Sequence, residues 1–259
     1  VLQQAETLYA SAQSEKAAPL YARLAEVPLN DKRITLARER RVPINRRDGP
    51  IAPAEAEQSI YIEKGMKVEL VAAEPLVKDP VAFAFDDHGR MFVAENSGYP
   101  VGPNKGAVAM LEDTNGDGRM DKRTVFAPDL EYPNGLMCWR GGIFVTCAPD
   151  LFYLKDTNGD GKADVRKVVL TGYMTNSTTQ LRMAHPTLGL DGWVYVTSGL
   201  TGGQLTSPEY PDRKPVTFKK SDSRFDPDDY RVEEYPGAGQ FGLCFDDFGH
   251  KFTVSNRNP

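Results

Sequence analysis

The sequence predicts an all-β fold: a β-propeller of repeated four-stranded sheets, preceded by a helical and irregular N-terminal arm. Three observations predict it. From Tyr61 onward the chain runs in short segments rich in β-branched and aromatic residues, with Gly, Asp, Asn or Pro close to nearly every one. No amphipathic segment of helix length interrupts them. Two kinds of sequence unit also recur at the spacing of a propeller blade.

The arm comes first. Gln3–Leu24 is Ala-rich, with Leu8, Ala12, Leu20 and Leu24 at roughly helical spacing, and predicts one or two short helices. Pro28, Pro43, Pro50 and Pro53 then interrupt a charged stretch, a composition suited to a linker or to an arm laid on another surface. Residues 1–59 are read as that arm and residues 60–259 as the propeller.

The predicted strands follow in order: Val68–Val71, Val81–Phe85, Met91–Ala94, Val108–Leu111, Ile143–Thr146, Val165–Leu170, Trp193–Thr197 and Phe252–Val254. One recurring unit is a hairpin with an acidic or glycine turn: Phe83–Glu95, Leu188–Ser198 and Cys244–Asn256, with a degenerate copy at Leu136–Thr146. The glycines assigned to its turns are Gly89, Gly142, Gly192 and Gly249, spaced 53, 50 and 57 residues apart. Four short antiparallel strands with their turns occupy ~40–50 residues. About four blades are therefore present, the last ending after one hairpin at Pro259. Complete rings have about four to eight blades, and a half-blade end leaves bare strand edges. The segment reads as part of a longer propeller, incomplete at its C-terminus.

Composition excludes several function classes. The 31 Lys and Arg against 36 Asp and Glu give a net charge of −5. The one basic cluster, Arg38, Arg40, Arg41, Arg46 and Arg47, lies in the arm, so a phosphate-tracking nucleic-acid surface is not expected. No apolar run has the length of a membrane helix, and no signal-peptide core opens the chain, which suits either a cytosolic protein or mature exported material. Three cysteines, Cys138, Cys147 and Cys244, are too few for a disulfide scaffold and lack zinc or haem spacing. A Cys138–Cys147 bridge is not favoured.

The second recurring unit carries the strongest chemical signal. Glu112–Asp121 reads EDTNGDGRMD, and Lys155–Asp164 reads KDTNGDGKAD. In the pattern D-x-N-x-D-G-x-x-D, side-chain oxygens at positions one, three and five and the carbonyl at seven converge on a cation, with glycine at six making the turn. The predicted calcium ligands are Asp113, Asn115, Asp117, the Arg119 carbonyl and Asp121 in one loop. In the other they are Asp156, Asn158, Asp160, the Lys162 carbonyl and Asp164. Thr124 and Lys167 stand where an EF-hand has its twelfth-position Glu, and no flanking helices are visible. The alternative is a pair of Asx-stabilised turns without metal.

Of the three histidines, His88 and His250 sit in hairpin tips, whereas His185 directly precedes a strand, where blade loops face a central channel. His185 is the candidate general base, and Arg182 a candidate for holding an anionic group. The alternatives are a structural histidine and an ion-paired arginine. Trp139, Phe144, Trp193 and Tyr195 are read as packing between blades, and no P-loop, Rossmann fingerprint, nucleophile elbow or HExxH is present.

The runs VELVAAEPLVKDPVAFAFDDHGRMFVAE, LEDTNGDGRMDKRTVF, DTNGDGKADVRKVVLTG, LGLDGWVYVTSG and GQFGLCFDDFGHKFTVSNRNP together resemble a family over Ile60–Pro259. It is the membrane-bound-dehydrogenase-like propellers of planctomycetes, often fused to a c-type cytochrome and similar to the quinoprotein glucose/sorbosone dehydrogenases. The resemblance implies six blades, a periplasmic or extracellular location and membrane association through a partner. It also implies pyrroloquinoline quinone (PQQ) as the oxidant of a sugar or alcohol. The family's catalytic histidine falls at Leu181 here, with His185 four residues later, and no CxxCH haem site occurs in the chain. Two readings stay open: an extracytoplasmic dehydrogenase passing electrons to a cytochrome, and a non-catalytic, calcium-stapled scaffold subunit of a larger complex.

Overall fold

The computed structural model describes residues 52–256 apart from 61, 101, 103 and 104. The chain divides into two compact units, 1–71 and 72–259. The first unit contains helix α1 (Pro53–Ser59), with proline in its first turn, where the absent N–H costs no helical bond. The helices predicted over Gln3–Leu24 lie outside the described residues. The strand predicted at Val68–Val71 does not form: among the described residues this segment pairs with no neighbour, and an apolar alternation without a ladder does not make a strand.

The second unit is an array of antiparallel sheets. Strands β1 (Pro80–Phe85), β2 (Met91–Glu95), β3 (Gly106–Glu112) and β4 (Lys122–Leu130) make the first sheet in simple up-and-down order. Strands β5 (Gly135–Trp139), β6 (Gly142–Cys147), β7 (Asp150–Lys155) and β8 (Val165–Tyr173) make the second in the same way. The third sheet opens with β9 (Ala184–Leu188) and β10 (Val194–Thr197). A hairpin of β11 (Gly202–Thr206) and β12 (Val216–Lys219) then leaves it and pairs with β8, widening the second sheet to six strands. The third sheet is completed by β13 (Asp222–Phe225) and β14 (Val232–Tyr235), and β15 (Leu243–Phe245) with β16 (Lys251–Thr253) begins a fourth.

The first strands of successive sheets lie side by side, β1 on β5, β5 on β9 and β9 on β15. That is propeller geometry: three blades and the opening hairpin of a fourth.

Strands in the middle of a blade are buried on both faces, which is why MFVAE and GIFVTC read as unbroken apolar runs rather than as alternations. Along β6, Ile143 and Val145 pack toward the first blade with Phe92, Val108, Met110 and Leu130, while Phe144 packs toward the third with Val194, Val196 and Phe225. Each such fully buried side chain contributes roughly 1.5–3 kcal/mol. The turn of the second blade is made by Arg140 and Gly141, both at positive φ. Gly142, assigned to the turn from the sequence, is instead the first residue of β6, against the Leu154 carbonyl and the Tyr153 ring. All three cysteines are free.

Candidate functional site

A cavity of about 490 Å³ opens where the first strands of the blades begin. Each blade contributes to it: Asp79, Pro80 and Val81 enter β1, Asn134 precedes β5, Ala184 and His185 open β9, and Phe241 precedes β15. Asn96 and Tyr99, just past β2, and Gln180 complete the lining. A repeated device sets these strand starts. Thr146 at the end of β6 donates its hydroxyl to the Gly135 carbonyl, and Thr197 at the end of β10 donates to the Ala184 carbonyl. Gly135 admits no side chain, because a Cβ there would lie 2.5 Å from the backbone nitrogen of His185. Glycine at the head of β5 thus lets the β9 backbone, and His185 with it, approach the axis.

His185 sits in the left-handed region at φ 55°, as does Asp79 at φ 46°, so two residues of the lining hold a backbone conformation that costs about 1–3 kcal/mol each. The residue is exposed overall, but partial desolvation of the ring lowers the imidazole pKa below 6.5, against an opposing contribution from the Leu243 backbone, and so favours the neutral form.

The lining also carries a relay of amides across three blades. Asn134 donates from Nδ2 to the Thr179 carbonyl at 3.1 Å. Asn96 donates from Nδ2 to Asn134 Oδ1 at 3.3 Å. The backbone fixes both residues, since the Asn96 N–H bonds to the Asp79 carbonyl and the Asn134 N–H to the Thr146 carbonyl. Tyr99 donates its hydroxyl to Gln180 Oε1 at 2.9 Å.

The structure does not bring Arg182 to this cavity. Its guanidinium donates to the Thr175 carbonyl at 3.3 Å and stacks 5.0 Å from the Tyr132 ring centroid, away from the residues that line the opening. Leu181 ends a short 3-10 turn, Thr179–Leu181, and does not line the cavity either. Sequence reasoning found His185 but missed Asn96, Asn134, Gln180, Tyr99, Asp79 and Phe241. The available signal was their shared placement beside the first strands, with Asn96 and Asn256 closing corresponding copies of the hairpin unit.

Both DTNGDG loops fold as nested Asx turns on exposed hairpin ends. Asp113 Oδ1 accepts from the Gly116 and Asp117 N–H groups and Oδ2 from Gly118; Asn115 accepts from Asp117, and Asp117 from Arg119. Asp156, Asn158 and Asp160 repeat the pattern with Gly159, Gly161 and Lys162. Asp121 and Asp164 accept from the backbone and hydroxyl of Thr114 and Thr157. Among the described residues no group of three or more His, Cys, Asp and Glu is placed to hold a metal.

Fold and cavity define the class as a β-propeller with a polar opening on its axis. The chain belongs to the family described as "Domain of unknown function (DUF7133)", whose model matches residues 52–259. No curated protein matches the sequence. Among solved structures, the holo PQQ domain of pyranose dehydrogenase from Coprinopsis cinerea is 14% identical, with a TM-score of 0.49 over 74% of this chain and 46% of that one. A Thermus thermophilus protein described as a candidate oxidoreductase (glucose dehydrogenase) is 18% identical, with a TM-score of 0.43 over 68% and 58%. A candidate 6-phosphogluconolactonase of Bacteroides fragilis is 11% identical, with a TM-score of 0.38 over 75% and 62%. This chain spans less than two thirds of each, and these figures transfer no chemistry to it.

Proposed function

We propose that the cavity is the substrate site of a dehydrogenase-like propeller acting on a sugar or an alcohol, with His185 placed to accept a hydroxyl proton. The observation that carries this reading is the imidazole of His185 on the wall of a cavity that the amides of Asn96, Asn134 and Gln180 also line. Asn134 and Gln180 supply polar edges, while Val81, Pro80 and Phe241 offer an apolar surface to the C–H face of a sugar ring. Because its pKa is lowered, the imidazole stays deprotonated to more acidic pH than an ordinary histidine, and the acidic limb of the rate profile shifts down accordingly.

The described lining does not fit the quinone. PQQ carries three carboxylates, and this cavity presents the Asp79 carboxylate with no Lys or Arg, so no step is derived through it. No role in the reaction is assigned to the calcium expected at the two loops. Electron delivery to a c-type cytochrome and a periplasmic or extracellular location belong to the proposal through the sequence resemblance.

The test is dye reduction after incubation with PQQ and calcium, across a panel of sugars and alcohols. Quinone-dependent turnover would support the dehydrogenase reading, and His185→Asn should then lower the rate constant ~100-fold or more while leaving substrate binding near wild type. Absence of both turnover and quinone binding would overturn the dehydrogenase reading. The lack of a cationic cradle favours the second reading, a non-catalytic binding or scaffold subunit. Its signature is sugar binding without turnover.

A further inference from the structure

We infer that the cavity selects neutral polyols over sugar acids, with Asn96 as the residue that reads a hydroxyl donor. This rests on the reading of the cavity as a sugar or alcohol site. The direction of the amide relay is fixed from its far end. The Thr179 carbonyl only accepts, so Asn134 must present Nδ2 to it and Oδ1 to Asn96. Asn96 must then give Nδ2 to Asn134. That leaves Asn96 Oδ1 as an acceptor, and it has no partner. Asn96 is only 4% exposed.

A buried acceptor without a donor costs ~1–3 kcal/mol, a penalty that a ligand hydroxyl relieves. The bond holding the amide in place is long, at 3.3 Å, and the terminal torsion of asparagine is broad. A small swing of the amide therefore exchanges a weak internal bond for a ligand O–H.

The remaining groups point the same way. His185 contributes an imidazole, and Asp79 is an acidic member of the lining. Gln180 has its oxygen engaged by Tyr99 and offers its NH2 group. The lining contains no cation. A ligand rich in O–H groups satisfies it, whereas a carboxylate meets Asp79 and the unpaired Asn96 Oδ1.

The experiment is calorimetric titration of the full chain with sorbitol and with glucuronate at one ionic strength near neutral pH. Sorbitol should bind, and glucuronate at least tenfold more weakly. Asn96→Leu keeps the shape and removes the acceptor, and should weaken sorbitol about tenfold. Asn96→Asp keeps acceptor oxygens but gives up the Nδ2 bond to Asn134 and adds charge. It should weaken glucuronate more than sorbitol.

If neither ligand binds the wild type, the sugar-site reading falls and this inference with it. If both bind alike, or Asn96→Asp weakens sorbitol as much as glucuronate, the inference alone is overturned. Should Asn96→Leu fail to fold, wild type against Asn96→Asp still decides.

Discussion

The first and second blades carry nearly the same stretch, DTNGDGRMDKR and DTNGDGKADVR, and the two copies do different work. In the second blade the loop docks on its neighbour. The Ala163 N–H bonds to the Phe126 carbonyl at 2.8 Å, and Arg166 donates to the Pro128 and Asp129 carbonyls at 2.9 and 3.0 Å, all on β4. In the first blade the matching arginine, Arg123, turns inward instead and pairs with Glu95 at 2.6 Å. The Glu95 side chain is 4% exposed, and its second oxygen accepts the Lys78 N–H at 2.9 Å, tying the segment before β1 to the end of β2. The other blades have Cys147 and Ser198 at the position of Glu95. A repeat thus fixes the local turn, while what lies beside it decides where its long side chains go.

The largest expected effect breaks the buried half of this comparison. Arg123→Ala leaves Glu95 as a buried carboxylate with one backbone donor, a change that costs about 3–5 kcal/mol. Arg166→Ala removes two bonds from a more exposed guanidinium and should cost only about 1–2 kcal/mol. Chemical denaturation of both variants measures the gap. Equal losses would mean that the two arginines are equivalent after all.

A finer contrast lies at the sixth position of each loop. Gly118 and Gly161 both have left-handed backbone, so alanine at either costs about 1 kcal/mol. A Cβ on Gly118 meets nothing within 4 Å, whereas one on Gly161 meets Met110 Cε at 3.2 Å and Thr124 Cγ2 at 3.3 Å. Gly161→Ala should therefore be the more destabilising by a few tenths to about 1 kcal/mol. The thermal midpoints of the two variants give the order, and a reversed order would show that the second loop is not seated on the first blade.

Much of the fold was legible because it is local. The hairpin turns repeat in sequence and in bonding: Asp86 accepts from the His88 and Arg90 N–H groups, and Asp246 accepts from Phe248 and His250 in the same way. The β11–β12 hairpin was not legible. Its strands are short, GGQLT and VTFK, and what holds them is the non-local β8 edge. The cavity was only partly legible for the same reason. His185 stands out by chemistry, but Asn96, Asn134 and Gln180 are ordinary loop amides until the blades gather them around one axis. The acidic loops were legible as turns: the pattern D-x-N-x-D-G encodes their nested Asx bonds, and the same oxygens keep lone pairs for a cation.

The smallest effect expected tests the two loops by pH. Backbone donors, foremost the Gly118 N–H, hold the Asp113 carboxyl below its ordinary 3.8. At Asp156 desolvation pushes upward and is outweighed by the N–H groups of Gly159 and Gly161. A folded-state value below the unfolded one means that the unfolded chain binds more protons in the window between them. The stability contributed by each carboxylate is thus complete above about pH 4 and is lost as pH falls through the folded value. Asp113→Asn and Asp156→Asn should each flatten the acid slope of the thermal midpoint, one test for each loop. Melting curves between about pH 5 and 3 read that slope. Slopes unchanged from wild type in both variants would mean that the loop carboxylates are not held by their backbone donors in solution.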